Sequence, residues 1–125
     1  MEFVKTAFDA VEYERLTRSD GTVGHAEVRI ADSVLMVGEA PGDRKAMPCA
    51  IDSYVADCDM TYRRALQAGG KSVSEPVTQF YGDRHAGVEG PCGDLWWIAT
   101  RVENLSGDEL RRRAEQFVNK PSALT

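Results

Sequence analysis

Alternation of apolar and polar side chains marks the first half of the chain as a series of strands. Residues 11–16 and 23–30 alternate in this way, and the turn-forming run Ser-Asp-Gly-Thr at 19–22 separates them, so they predict a β-hairpin. A third strand is predicted over 33–37, where an uninterrupted apolar run is typical of a strand covered on both faces. Residues 2–10 have helical spacing without a starting cap, which predicts the final part of a helix.

The second half predicts a strand, a helix and three further strands. A strand at 49–55 precedes Asp57, whose carboxylate can cap a helix that runs to about Ala68. Three strand-like segments follow, separated by turns rich in glycine and aspartate: 73–80, 84–88 and 95–102. A capping box then opens a final helix at about 107–119, which Pro121 follows.

The two halves repeat one design. A helix end and three strands in the first half match the helix and last three strands of the second half, and only the opening strand has no counterpart. The sequence therefore predicts one α+β domain over 1–125, built from paired βαβββ modules. Module one covers about 1–47 and lacks its opening strand, module two covers about 48–103, and the C-terminal helix follows.

Composition and charge narrow the classes of function. The 125 residues carry a net charge of −5, which opposes binding to nucleic acid, and no apolar run is long enough for a membrane span. The first ten residues lack the pattern of a secretory signal. Cys49, Cys58 and Cys92 form no close pair, so we expect a cytoplasmic protein. Each cysteine is either a nucleophile or, as we expect because no His neighbours it in sequence, a small apolar side chain.

Few residues carry distinctive chemistry. His25 and Glu27 share one strand face, where they form either a proton-transfer pair or, more commonly for such a pattern, a solvated surface pair. Trp96 and Trp97 point to opposite faces of their strand. By this alternation, one indole faces the helix layer, and the other either fills space or offers a stacking wall to a flat ligand.

Several motifs follow one another in an order that identifies a family. They are Gly-His-Ala-Glu-Val-Arg-Ile at 24–30, Asp-Ser-Val-Leu-Met at 32–36, Phe-Tyr-Gly-Asp-Arg at 80–84, and Gly-Pro-Cys-Gly at 90–93 followed by Trp96. Together they resemble the PhnB-like branch of the vicinal oxygen chelate superfamily, which includes glyoxalases, bleomycin-resistance proteins and dioxygenases. The resemblance covers almost the whole chain. It implies paired βαβββ modules whose sheets curl around a pocket, and a homodimer.

Many members of this superfamily bind a divalent metal through His and Glu side chains on the first and last strands of each module. By the resemblance, Met36, Ala50 and Trp97 stand at these positions, and the position on the missing strand has no counterpart. None of these side chains suits such a cation, so we expect no metal and no cofactor. A shift of two residues in this alignment would place Asp52, which shares the strand face of Ala50, at the ligand position of Ala50.

The resemblance also implies the ligand-binding residues. Pocket walls are expected from Met36, Tyr54, Tyr81 and the inward-facing Trp97, and the pocket mouth from Arg84 and His85. The Arg84 guanidinium either binds an anionic or carbonyl group of the ligand or pairs with Asp83 or Glu89.

Three functions remain open on the sequence. The leading expectation is metal-independent binding of a small organic molecule by a homodimer. The alternative is a metal-dependent lyase or dioxygenase with a rearranged site, whose candidate ligands are His25, Glu39, Asp52 and His85. The third is an interacting subunit that binds no small molecule.

Overall fold

The computed structural model describes residues 1–40, 42 and 45–118. Within these residues the chain forms three helices and seven strands. In order they are α1 (Glu2–Phe8), β1 (Val11–Thr17), β2 (Val23–Ile30), β3 (Ser33–Val37), β4 (Ala50–Tyr54), α2 (Cys58–Gln67), β5 (Lys71–Thr78), β6 (Asp83–Glu89), β7 (Leu95–Arg101) and α3 (Gly107–Val118). The α+β class and every predicted element are confirmed, with ends that agree within two residues. Residue 119 and Pro121 lie outside the described residues.

The strands form two sheets of unequal size. The first is antiparallel with the order β1-β2-β3, and the second has the order β4-β7-β6-β5. In the second sheet β4 runs parallel to β7, whereas the other neighbours are antiparallel. The second sheet and α2 therefore form a complete βαβββ module, and α1 with the first sheet repeats its last four elements.

The hydrophobic core lies between helices α1 and α2 and one face of each sheet. Its most buried members include Val28 of β2, Ala65 of α2, and Val88 and Ile98 of β6 and β7. Trp96 joins this core and contacts the Phe8 ring of α1 at a centroid distance of 4.9 Å. Burial of each valine or isoleucine side chain stabilises the fold by about 1.5–3 kcal/mol.

One prediction about β3 is wrong. Leu35 packs against the core, but Val34 and Met36 are 54% and 67% exposed, so only one face of the strand is covered. An uninterrupted apolar run indicates a buried strand only when layers cover both faces. In the described part of the chain, no element covers the outer face of β3.

The predicted helix starts are confirmed. The Asp57 carboxylate accepts a hydrogen bond from the Met60 amide at 3.1 Å, and the Ser106 hydroxyl accepts one from the Glu109 amide at 3.1 Å. Helix α3 then packs its Phe117 ring against Phe80, at a centroid distance of 4.5 Å. None of the helices in the described ranges has the length and apolar character needed to cross a bilayer.

Candidate functional site

The face of the second sheet that turns away from α2 carries a group of polar and aromatic side chains. They meet because strand side chains alternate and the register pairs Asp52 with Trp97, and both Tyr54 and His85 with Ala99. Together they surround an open cleft of about 480 Å³. The residues that line this cleft are Asp52, Tyr54, Tyr81, Asp83, His85, Trp97, Arg101 and Leu110.

Asp83 is the centre of a hydrogen-bonded network at one end of the cleft. Its carboxylate is only 4% exposed, and it accepts hydrogen bonds from the Tyr54 hydroxyl and the Arg101 Nε, each at 2.6 Å. A further Arg101 N–H donates to the Tyr54 oxygen at 3.2 Å, and the guanidinium lies 5.9 Å from the centre of the Tyr54 ring. A buried charge needs such partners, so this network fixes the orientation of all three side chains.

A flat aromatic wall lies beside this network. The His85 and Trp97 rings are stacked, with centroids 5.2 Å apart and planes inclined by 15°. Gly87 makes this arrangement possible, because a Cβ at that position would overlap the Trp97 indole. The His85 Nε2 atom lies 3.9 Å from an Asp52 carboxylate oxygen, which is beyond a direct hydrogen bond.

Tyr81 completes the cleft with a hydroxyl that stays protonated. Its ring meets His85 edge to face at a centroid distance of 6.3 Å. Burial raises the pKa of Tyr81, and the nearby Asp83 and Asp52 carboxylates raise it further. The phenol therefore remains a neutral hydrogen-bond donor at physiological pH.

The structure brings together four of the six ligand-binding residues that the sequence predicts: Tyr54, Tyr81, His85 and Trp97. Met36 lies instead in a separate cavity of about 200 Å³ with Leu35 and Cys49. Arg84 is on the opposite face of β6, where its guanidinium donates to both oxygens of the Asp59 carboxylate of α2 at 2.6 and 2.9 Å. The pairing partner is thus Asp59, rather than Asp83 or Glu89 as the sequence suggested.

Sequence reasoning missed three contributors to the cleft. Asp83 is two residues from His85, and Arg101 is two residues from Ala99. Strand alternation therefore predicts that both side chains lie on the cleft face. Leu110 belongs to α3, and no sequence pattern indicated that this helix reaches the cleft.

The remaining candidates lie outside the cleft. On the first sheet, His25 Nε2 is 3.5 Å from a Glu27 oxygen, and both side chains are more than one-third exposed, as in an ordinary surface pair. The Glu39 carboxylate accepts a hydrogen bond from the Val23 amide at 2.6 Å. Among the described residues no group of three or more His, Cys, Asp and Glu side chains is arranged to hold a metal ion. Asp52 and His85 alone offer two donors, which do not fit the three-ligand centre of a catalytic metal.

The cysteines also lie away from the cleft. Cys58 is 2% exposed, its thiol donates to the Ile98 carbonyl at 3.4 Å, and burial raises its pKa to about 11. The side chain is therefore an uncharged, buried thiol, as the sequence predicted. Cys49 and Cys92 are exposed, which differs from that prediction.

Comparison with known proteins gives relatives in sequence and in fold. An uncharacterized protein of Mycobacterium bovis is 31% identical over 122 residues, and the match covers 89% of this chain and 80% of that protein. An uncharacterized protein of Mycobacterium tuberculosis is also 31% identical, and 72% of its length is covered. No protein-family model matches the chain.

Solved structures with a similar fold include TioX from Micromonospora sp. ML1, with a TM-score of 0.63, 19% identity and coverage of 83% of this chain and 86% of that one. A second is a member of the glyoxalase/bleomycin resistance protein/dioxygenase superfamily from Sphaerobacter thermophilus, with a TM-score of 0.62, 14% identity, and coverage of 79% and 83%. The chain thus belongs to one family with the mycobacterial proteins, and it has the fold of the glyoxalase/bleomycin resistance/dioxygenase superfamily.

Proposed function

We propose that the protein binds a small organic molecule in the cleft of the second sheet, without a metal or other cofactor. The ligand presents a flat, unsaturated group to the Trp97–His85 wall and a hydrogen-bond acceptor, such as a carbonyl or carboxylate oxygen, to the polar end of the cleft. The observation that carries this proposal is a stacked aromatic pair in the same cleft as two donors that a ligand can reach, the Arg101 guanidinium, which Asp83 holds in place, and the Tyr81 hydroxyl.

The physical basis is complementarity between the two ends of the cleft. A flat ligand gains apolar contact and stacking on Trp97, worth about 0.5–1.5 kcal/mol beyond the buried area. At the polar end, Arg101 is half exposed and keeps N–H groups beyond those used by Asp83 and Tyr54. Because the network already holds these donors in place, a ligand that binds them loses little conformational entropy of the protein.

We also propose that the protein is a cytoplasmic homodimer of the PhnB-like branch. The outer face of the first sheet supports a dimer, because five of its large apolar side chains are each more than half exposed: Val11, Tyr13, Leu16, Val34 and Met36. They flank a polar row on β2 that includes Glu27 and Arg29, and exposed apolar side chains beside polar ones are typical of a protein interface. A second copy that covered this face would also bring Met36 into a buried contact.

The experiment is a thermal-shift screen with a matched set of flat carboxylic acids, aldehydes and hydrocarbons of equal size. A true ligand at one hundred times its Kd stabilises the fold by about 2.7 kcal/mol, which gives a clear rise in Tm. Trp97→Ala should remove the shift, whereas Met60→Ala, an exposed apolar position on α2, should retain it. If no compound gives a saturable shift, or if Trp97→Ala responds like the wild type, the proposal is wrong.

The metal-dependent alternative is tested by metal analysis of protein purified without chelators. Asp52 and His85 are the pair that would take part, since their donor atoms are 3.9 Å apart. We expect no stoichiometric divalent ion and the same melting temperature with or without chelator. A bound ion that Asp52→Asn removes would favour the alternative instead.

A further inference from the structure

Two neighbouring cavities, of about 300 and 200 Å³, separate the two sheets. Both are lined by β3 and β4 and share Leu35, Ile51 and Trp96, and together they are here called the β3–β4 gap. β3 and β4 are each the last strand of their sheet on this side and are not hydrogen-bonded to one another. Each strand therefore turns a row of backbone N–H and C=O groups toward the gap.

In the second module, the last strand, β7, has the opening strand, β4, as a parallel neighbour. There β4 pairs with β7 in parallel through all five of its residues, from Ala50 opposite Leu95 to Tyr54 opposite Ala99. β3 is the equivalent of β7 in the first module, and in the described residues it pairs with β2 alone. The gap thus lies where a strand parallel to β3 would stand.

The other two outer strands of the sheets are built to resist pairing. β1 has two register irregularities and charged side chains at Glu12, Glu14 and Arg15. β5 also has two irregularities, and Pro76 removes one of its backbone donors. Bulges, charges and proline are the devices by which natural sheets prevent edge-to-edge association.

β3 lacks these devices, and β4 has only the charged side chain of Asp52. Each pairs regularly with its sheet neighbour along its full length, without proline, and β3 carries no charged side chain. Regular edges on both sides of an apolar space are the geometry that accepts an added strand. β1 and β5 are protected against pairing with another strand, whereas β3 and β4 have regular edges. The gap between β3 and β4 is therefore the place where the sheets can accept an added strand.

The side chains around the gap define the chemistry of the strand that fits it. The centre is apolar, with Leu35, Ile51 and Trp96. Among the described residues that line the gap, the charged side chains are all acidic: Asp32, Asp52 and Asp94. An occupant with apolar side chains at alternate positions and basic ends is complementary in both respects.

We propose that the β3–β4 gap is a receptor for an extended segment of a partner polypeptide, about five residues long, which adds as a strand parallel to β3. Backbone hydrogen bonds to the strand edges supply affinity, and the alternate apolar side chains that contact Leu35 and Ile51 supply specificity. The gap and the small-molecule cleft share Asp52 and Tyr54 of β4, but the backbone edges of β3 and β4 that would bind the strand are not part of the proposed small-molecule contacts.

The test uses a capped synthetic peptide of sequence lysine-valine-threonine-valine-threonine-valine-lysine and amide hydrogen exchange read by mass spectrometry. Saturating peptide should slow exchange in the β3 and β4 segments, Ser33–Val37 and Ala50–Tyr54, by roughly tenfold or more, because new ladder hydrogen bonds must open before exchange. Exchange in β5 should not change. A peptide with proline in place of the central valine should give no protection, and one with glutamates in place of the lysines should bind more weakly.

Protein variants provide a second arm. Ile51→Lys places a charge in the centre of the gap and should abolish the protection, whereas Val73→Lys, on the outer strand β5, should leave it intact. Melting curves verify that both variants fold, and the proline peptide supplies an independent control if Ile51→Lys does not. The proposal is overturned if the peptide gives no protection or if the proline peptide protects equally. It is also overturned if β3 is already protected without peptide. In that case, protection that is lost on dilution indicates a second copy of the chain as the occupant.

Discussion

The two sheets share one order of elements but have different outer faces. The second sheet turns outward a hydrogen-bonded network around buried Asp83 and a stacked pair, His85 and Trp97. The first turns outward exposed apolar side chains, such as Tyr13 and Met36, and an ordinary surface pair, His25 with Glu27. The inner faces are alike, since both contribute buried aliphatic residues to one core. The comparison shows that the shared pattern determines the core, whereas the outer face is free to specialise.

The largest expected effect lies in that common core. Ile98 is completely buried, so Ile98→Ala should lower the free energy of unfolding by about 3 kcal/mol, through lost apolar contact and a residual cavity. Urea denaturation followed by tryptophan fluorescence, which reports the second sheet, and by far-UV circular dichroism, which reports both, provides the measurement. Because the core is shared, the two signals should change together. Separate transitions would show that the sheets unfold independently.

The second effect tests the network on the outer face of the second sheet. Asp83→Ala should cost about 2 kcal/mol, because the Tyr54 hydroxyl and the Arg101 guanidinium both lose their buried acceptor. Glu27→Ala, at a partly exposed position on the first sheet, should change stability by less than about 0.5 kcal/mol. Denaturant melts of both variants decide the matter. Equal losses would mean that the two outer faces do not differ in the way described.

A smaller effect tests the aromatic wall. Gly87→Ala should displace the Trp97 ring and cost about 1–2 kcal/mol, since the added Cβ would occupy the position of the indole. Near-ultraviolet circular dichroism and the chemical shifts of the His85 ring, which depend on stacking, record the displacement. Gly93→Ala offers a contrast, because a Cβ there contacts nothing and only its positive φ is strained. Unchanged His85 shifts in Gly87→Ala would contradict the assignment.

The smallest effect concerns Met36 on the first sheet. In dilute solution Met36→Ala should change stability by less than about 0.5 kcal/mol, because the side chain is mostly exposed in a single chain. The proposed homodimer adds a second expectation: the wild-type Tm rises with protein concentration, and the variant Tm rises less. A concentration series by differential scanning calorimetry measures both. The same rise in the two proteins would remove Met36 from the dimer contact.

Local patterns in the sequence were sufficient to predict the fold. Alternation, turn residues and the caps at Asp57 and Ser106 act over a few positions, so they are readable without coordinates. The same alternation predicted that Trp96 and Trp97 point to opposite faces of β7, and the family resemblance indicated that Trp97 is the one on the cleft face. The exposure of β3 was not readable, because it depends on which layers the rest of the chain supplies.

The site was predictable only in part, for a related reason. Tyr54, Tyr81, His85 and Trp97 line one cleft, as the family resemblance indicated, and strand alternation places all of them but Tyr81 on the same sheet face. The contact between Arg84 and Asp59 joins a strand to a helix across the core, and no local pattern encodes it. Likewise, the place of Met36 in a different cavity follows from the relative position of the two sheets.

The absence of a side chain at Gly87 has a consequence for how this family can vary. The Trp97 indole occupies the space above that residue, so the side chains at positions 87 and 97 cannot both be large. A homologue with a bulky residue at position 87 must carry a small one at position 97. Its histidine at position 85 then has no indole ring to stack on. Substitutions at positions 87 and 97 should therefore arise in compensating pairs, and each pair would give the cleft a different wall for the ligand.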